Sequence, residues 1–413
     1  MPDNWKDQGS SMHVLFLTST LPRWAGDMQA NFVGEQADAW LAARPDDRIT
    51  ILAPASQGAP DEERHGRKTI KRYTYVRPAS LQTLAYPAIM PNLKAAPWRA
   101  WQIAPLVWAQ YRRAKEIISE GGVDLVYAHW AVPQGLVAHR LKARTGVPYI
   151  LQTHSSDLSV LSNFGSAGRG VARAMLQQAE HFFCVNAGQL DLARGFYPEL
   201  ATNDTVTGAS VIPMGVARLQ PMSSLTGQIE IGSIGRLSKK KGLDLLIRAL
   251  EKLHESGVSP RVGIAGDGEE REHLQGLKRC ANVDFLGFLS GKEKEHFLAG
   301  CERFAFPAKA SGGDVEGLPV ALLEALMRGQ PVLASRDTNI ELLPEWDAIK
   351  RDVVFVEDPA DIDALAQAIV ELMTRSPGSA GQAKQVLSRY LWSNLIEEYL
   401  EPIERAVKRR TGA

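Results

Sequence analysis

The chain has 413 residues, 47 Lys and Arg against 47 Asp and Glu, no formal net charge, and a composition that is 45% hydrophobic and 7% aromatic. That length is enough for two domains with cores of their own, and balanced charge gives no reason to expect a nucleic-acid partner, so any basic patch must be sought by position. Three cysteines (Cys184, Cys280, Cys301) without CxxC spacing argue against a disulfide framework or a structural zinc site and fit a reducing cytosol.

The first residues are polar and acidic, and no apolar run is long enough to span a bilayer, so a cytoplasmic protein, neither secreted nor integral, is expected. Residues 13–17 read as a buried strand. Residues 18–22 break it into a loop holding Gly26 and Asp27, a helix is predicted from about 28 to 43, and a second strand at 49–52. Strand, glycine loop, helix, strand opens a doubly wound sheet, whose ligands bind beyond the carboxyl ends of strands. Gly26 would equally serve a tight turn.

Residues 64–77 gather Arg64, Arg67, Lys68, Lys71, Arg72 and Arg77 around Tyr73 and Tyr75. Trp98, Trp101 and Trp108 then recur at roughly helical spacing beside Arg99, Arg112, Arg113 and Lys115, with Pro105 interrupting. Two readings stand. The preferred one is a solvated basic face with a tryptophan core stripe; the other sets cations beside interfacial aromatics, holding a helix transiently against an anionic membrane surface.

Strands at 123–127 and 148–152 bracket a helix over 132–143 and lead into Thr153-His154-Ser155-Ser156-Asp157. The His, Ser and Asp could suggest a hydrolase, but no GxSxG elbow exposes a nucleophile. After strands at 182–185 and near 211–212, the Gly-, Pro- and Ser-rich run 213–227 is the natural linker. It divides an N-terminal domain, 1–212, from a C-terminal domain, 228–389, and residues 390–413 supply a last helix.

The second domain opens on a strand at 229–234 and the run Gly235-Arg236-Leu237-Ser238-Lys239-Lys240-Lys241-Gly242. Leu243, Leu246, Ile247, Leu250 and Leu253 then recur at three- and four-residue steps, so a core-facing helix starts directly after Gly242. Arg236 and Lys241 stand where a strand end meets a helix start. That suits a diphosphate, whose leaving-group charge grows as a glycosidic bond breaks: Arg clamps as a fork and Lys adds a point charge. A strand at 262–265 ends in Gly266-Asp267-Gly268-Glu269-Glu270, half of a GxGxxG fingerprint without its third glycine.

Strands at 283–286 and 303–306 precede the stretch Ser311 to Ser335. Here Pro319 suits the first position of a helix that Gly329 stops and Pro331 keeps from resuming, before a strand at 332–334. The helix is apolar on nearly every face, hence a core element, and Glu324 alone in it is costly unless neutralised or hydrogen-bonded. Glu316 waits in the loop that feeds the same helix. Helical side chains lean toward the N-terminus, so Glu324 and the amides after Glu316 point to one mouth. N–H groups suit phosphate and carboxylates suit sugar hydroxyls; a sugar nucleotide presents both. The alternative pairs Glu324 with Arg328, four residues on, and leaves Glu316 an ordinary loop acid.

Glu316, seven intervening residues and Glu324, with Gly317-Leu318-Pro319 between and Gly329-Gln330-Pro331-Val332 after, resembles the signature of the family-4 retaining glycosyltransferases of the GT-B fold. The Gly-Arg-Leu and Lys-Gly elements at 235–242 resemble that family's diphosphate motif, and Ala128 to Gly135 and the knot at 153–157 resemble its acceptor domain. Pro213-Met214-Gly215-Val216 resembles its interdomain turn with Met214 in place of asparagine. The resemblance implies two Rossmann-like domains facing across a cleft, with the last helix crossing back to the first. It assigns donor-sugar contacts to Glu316 and His154, ribose binding to Glu324, and diphosphate binding to Arg236 and Lys241. The backbone of Gly317 and Leu318 would reach the sugar and diphosphate, with Pro319, which lacks an N–H, shaping the turn; Gly26 would lie against the donor phosphates or the acceptor, and Gly266 at the base pocket. Ser155 and Gln152 depart from the family's usual residues, which puts the fine shape of the sugar pocket in question, and Asp337-Thr338 stand where the family commonly has a glycine pair.

The expected reaction is transfer of a hexose from a UDP- or GDP-linked donor to a glycan or lipid-linked acceptor with retention, without a metal or other cofactor. A non-catalytic sugar-nucleotide or glycan-binding subunit, or a nucleotide-sugar epimerase or phosphorylase on the same architecture, is the alternative. Residues 311–315 before Glu316 resemble those of exopolysaccharide-building members.

Overall fold

The computed structural model describes residues 11–27, 29–154, 157–201, 208–217, 219, 229–311 and 317–411. The chain divides into two compact units, the first made of Met1–Cys184, Gly188–Ile212 and Ile396–Ala413, the second of Val185–Ala187 and Pro213–Leu395.

Strands of the first unit are β1 (His13–Leu17), β2 (Arg48–Pro54), β3 (Glu62–His65), β4 (Lys68–Tyr73), β5 (Leu125–His129), β6 (Tyr149–Gln152), β7 (His181–Cys184) and β8 (Gly208–Val211). They form one sheet in the order β3-β4-β2-β1-β5-β6-β7-β8. Among the described residues, only β3 and β4 pair antiparallel. In the centre Val14 stands opposite both Ile49 and Leu125. A parallel sheet is covered on both faces, which is why β1 is a run of apolar residues without alternation, all but His13 buried. The crossover helix Phe32–Ala43 buries Val33, Ala37 and Trp40, and the Trp40 indole N–H donates to Asp47 at 2.7 Å.

The β3–β4 hairpin was not legible in the sequence. Its charged, half-exposed residues (EERH, then KTIKRY) suit a sheet edge, where charge discourages further pairing, and they carry no hydrophobic signal. The basic run at 64–77 is therefore mixed in role. Arg72 is not on a solvated face: its side chain is inaccessible to solvent and its guanidinium donates to the Pro22 carbonyl, Glu63 and the Tyr86 hydroxyl. Tyr73 and Tyr75 are core. The tryptophan core stripe is overturned outright, since Trp98, Trp101 and Trp108 are 64%, 51% and 59% exposed. They sit on a 3-10 turn, Pro97–Gln102, and the helix Ile103–Ser119, which turns Leu106, Ala109, Gln110, Ala114 and Ile117 inward instead.

The second unit holds β9 (Ile229–Ile234), β10 (Val262–Ala265), β11 (Val283–Gly287), β12 (Cys301–Phe306), β13 (Val332–Ser335) and β14 (Val353–Val356), in the order β11-β10-β9-β12-β13-β14. Counted from the first strand of each unit, with β4 third in the first unit, both sheets share the order 3-2-1-4-5-6 of a doubly wound nucleotide-binding fold. The order reverses between β1 and β5 in one unit and between β9 and β12 in the other. Those two switch points are where such sheets open a crevice for ligands.

The helix Leu243–Glu255 buries seven residues, from Leu243 to Leu253, against the second core. The last helix, Trp392–Thr411, has its first four residues in the second unit and the rest in the first. In the first unit Tyr399 donates to the Ile212 carbonyl at 3.1 Å and accepts from Gln152 at 3.2 Å. All three cysteines are free thiols.

Candidate functional site

In the second unit a pocket opens at the carboxyl ends of β9 and β12, at the switch point. Ser233, Ile234, Gly235, Lys241, Phe306 and Pro319 line it. Three strand-end loops meet here backbone to backbone. A Cβ on Gly242 would stand 1.8 Å from the Pro307 carbonyl oxygen, and Gly242 itself has φ +64. A Cβ on Gly266 would stand 1.8 Å from the Gly235 carbonyl oxygen. Glycine at 266 is thus required by the approach of two chains, a reason internal to the unit, whether or not a base also lies there. The close approach brings the Lys241 ammonium to the pocket wall, 3.7 Å from where a Cβ of Gly235 would be.

Arg236 lies beside the pocket and is held by Glu269: its Nε donates at 3.1 Å and its terminal nitrogen stands 3.0 Å from the same carboxylate oxygen. The pair is exposed enough that an anion could displace the carboxylate at small cost. Asp267 caps the same turn, accepting from the Gly268 N–H and from Arg271.

The helix expected from Pro319 runs Val320–Met327, with Pro319 as its N-cap, one residue outside the position expected. Gly329 ends it at φ +83. Glu324 is buried, 3% exposed, and its neutraliser is not Arg328. Lys294, from the helix Gly291–Gly300, donates to Glu324 Oε1 at 2.8 Å, while Arg328 is held by Glu295. Glu324 Oε2 has no partner among the described residues. One acceptor oxygen of this acid is therefore satisfied and one is left over for a donor such as a hydroxyl. Gly317 and Leu318 are half-buried ahead of Pro319. Glu316, and residues 312–315 before it, lie outside the described residues, as do Ser155, Ser156 and most of the expected linker.

In the first unit His154 follows β6, next to the other switch point. Its ring packs against Phe32 and Trp130, each at 4.8 Å between centroids, and stacks on His129 at 5.3 Å. His129 ends β5, and its Nδ1 lies 3.1 Å from His154 Nε2, a hydrogen bond in which one ring donates its N–H and the other must be neutral to accept it. Burial drives the His154 pKa down to about 3. Burial, then the neighbouring imidazole, lowers that of His129 as well. Both rings are neutral at physiological pH, and His154 Nδ1 has no partner among the described residues. Asp157 fastens the two loops, accepting from the Ala131 N–H at 2.6 Å and the His154 N–H at 3.3 Å. Gly26, φ +81, lies in a turn closed by Asp27, whose carboxylate takes the Arg23 backbone N–H and its guanidinium, a local reason for a glycine.

The sequence did not single out Lys294, Glu269, Phe32 or the role of His129 beside His154. Each is a partner from a separate element, and only the stretch from Ala128 to Gly135, which begins at the end of β5, gave any signal. Among the described residues no three His, Cys, Asp or Glu side chains gather as a metal site would require.

Two family models match the chain, Glycosyltransferase Family 4 over residues 31–199 and Glycosyl transferases group 1 over residues 220–385. An uncharacterized glycosyltransferase of Methanocaldococcus jannaschii is 26% identical over 55% of this chain and 60% of its own length, so the match spans less than two thirds of that relative. A GDP-mannose-dependent alpha-(1-6)-phosphatidylinositol monomannoside mannosyltransferase of Mycolicibacterium smegmatis is 24% identical over 87% of this chain and 89% of its own. The sucrose-phosphate synthase of Thermosynechococcus elongatus superposes with a TM-score of 0.69 at 17% identity, covering 95% of this chain and 98% of that one, a likeness of fold. With two parallel-sheet units, the two family matches and this neighbour, the chain belongs to the family-4, group 1 glycosyltransferases of the GT-B fold.

Proposed function

We propose that the protein transfers a hexose from a nucleoside-diphosphate sugar, UDP- or GDP-linked, to a glycan or lipid-linked acceptor, with retention at the anomeric carbon and without a metal. The observation that carries this reading is the pocket at the β9–β12 switch point, where Lys241 stands on the wall and Pro319 opens the helix that buries Glu324. Lys241, with Arg236 beside it, supplies cationic charge where the leaving diphosphate gains negative charge, which lowers the barrier only if it is in place before the bond breaks. The unpartnered oxygen of Glu324 fits a ribose hydroxyl as donor. Neutral His154, and Glu316 by its place in the motif, are assigned to the sugar.

In the reaction the bond from the anomeric carbon to the diphosphate breaks, and a bond to the acceptor oxygen forms on the same face. The acceptor proton passes to the departing phosphate oxygen, so no side chain serves as nucleophile. The Mycolicibacterium relative's name makes GDP-mannose the first donor to test. The test is release of free nucleoside diphosphate from GDP-mannose and from UDP-hexoses, alone and with acceptor. Turnover lost in Lys241→Ala supports the proposal. Turnover preserved in that variant overturns the role of Lys241, and saturable donor binding without any turnover in the wild type identifies a binding subunit instead.

A further inference from the structure

The helix Val320–Met327 carries one acid among apolar residues, so no side chain within it can hydrogen-bond Glu324. The partner comes from the helix Gly291–Gly300, and the phase of that helix makes its choice informative. Phe297 and Leu298, the buried residues of this helix, lie three and four positions after Lys294. Residues at those steps share a face, so Lys294 stands on the inward stripe, where an apolar side chain would continue the pattern. Lys292 and Glu293 just before it are exposed. A cation on the inward face costs desolvation unless something there needs its charge. What it meets is Glu324 Oε1 at 2.8 Å, with the carboxylate 4% accessible and the lysine side chain 33%.

That contact is not what fastens the two helices. Glu295, the next residue, pairs with Arg328 at the C-cap of the other helix. Gln330 then donates to the Leu298 and Cys301 carbonyls at 2.6 Å each. As a strut, Lys294 is therefore surplus. Its effect falls on the carboxylate itself. Glu324 takes a cation from a neighbouring helix although Arg328 lies four residues on in its own chain, a spacing that pairs readily. One oxygen is engaged, and Oε2 is shut from solvent without a partner among the described residues. A donor arriving at that oxygen recovers the cost of leaving it unpaired.

We propose that Lys294 is a positioning residue for the ribose of the nucleotide: by holding Oε1 it fixes the Glu324 carboxylate so that Oε2 accepts from a ribose hydroxyl. The inference rests on the reading of Glu324 as the ribose-binding acid and adds what orients that acid. Without the ammonium the side chain has no anchor and its buried charge no counter-ion, so it no longer offers a fixed, charged acceptor. A hydroxyl donates to such an oxygen, whereas a deoxyribose leaves it unpaired. The Lys294–Glu324 pair thus selects ribonucleotides over their deoxy forms.

The test is isothermal titration of the full chain with GDP and UDP and with the 2′-deoxy and 3′-deoxy forms of each. For whichever base the wild type takes, at least one deoxy form should bind about tenfold or more weakly than the ribonucleotide. In Lys294→Met that ratio should fall to within about twofold, while Lys294→Arg, which keeps a cation, should retain most of it. A mere strut behaves otherwise, because its loss weakens ribo and deoxy forms alike and leaves the ratio untouched. Lys294→Gln, polar and of similar length, repeats the measurement if a thermal melt shows Lys294→Met unfolded. The full ratio retained in the uncharged variants overturns the proposal and leaves Glu324 as the ribose ligand. A ratio near one already in the wild type, or no binding of either nucleotide, removes the ribose reading of Glu324 and this inference with it.

Discussion

Acidification reads directly on the His129–His154 pair. An unfolded histidine takes up its proton near pH 6.5, whereas His154 in the folded chain does so only near pH 3, because burial disfavours the imidazolium. Between those values the unfolded state binds more protons, so the folded state has its full stability above pH 6.5 and loses it as pH falls toward 3. Each pH unit in that window costs about 1.4 kcal/mol for His154. From pH 6.5 to pH 5 His154 therefore accounts for about 2 kcal/mol, and His129, lowered by burial and then by the neighbouring imidazole, acts in the same direction. Domains are stable by only about 5–15 kcal/mol, so the loss is large enough to read. Urea unfolding at pH 7 and at pH 5, followed by near-ultraviolet circular dichroism, measures it. His154→Asn should lower stability at pH 7 yet show a pH 7-to-5 difference smaller than the wild type's by about 2 kcal/mol. Equal pH dependence in the two proteins would mean that His154 protonates in the folded chain near its ordinary value, and the burial argument would be wrong.

Lys241→Ala should lower kcat for nucleoside-diphosphate release by about two to three orders of magnitude, with a smaller effect on donor KM, as expected where charge develops only in the transition state; equal losses in binding and turnover would assign Lys241 to ground-state binding. Gly242→Ala meets the Pro307 carbonyl at 1.8 Å in a left-handed backbone, so its loss should exceed the roughly 1–2 kcal/mol of the backbone term alone; a thermal melt within a degree of the wild type would refute it. Lys294→Met leaves Glu324 buried beside an apolar chain and should cost about 1.5–3 kcal/mol, partly regained on adding Glu324→Gln; additive losses in that double variant would show the pair uncoupled.

What the sequence disclosed and what it hid divide along a physical line. Elements written in one continuous run were legible: the apolar strands β1, β5 and β9, the helix after Gly242, and the helix between Pro319 and Gly329 all carry their own periodicity and stop signals. Partners that come from another element were not. The counter-ion of Glu324 was sought on its own helix at Arg328, but it is Lys294, thirty residues earlier. Arg72 was counted with its basic neighbours and is buried, because the Pro22 carbonyl, Glu63 and Tyr86 come to it from elsewhere. The tryptophans at 98, 101 and 108 look like core by composition. Only the phase of the helix, set by Leu106, Ala109 and Ala114, turns them outward.

The two switch points, alike in strand order, differ in charge. At the first unit's, the candidate residue is an imidazole kept neutral by burial and walled by Phe32, Trp130 and His129. At the second unit's, it is an ammonium on a pocket wall, with a guanidinium held loosely beside it by Glu269. Neutral rings and an unpartnered ring nitrogen suit a polyhydroxylated, uncharged group, which cations would serve poorly. Cations at a strand-to-helix junction suit phosphate, which a desolvated neutral histidine could not stabilise. One strand order thus carries opposite electrostatics in the two units, and the difference is set by the side chains that each places at its strand ends.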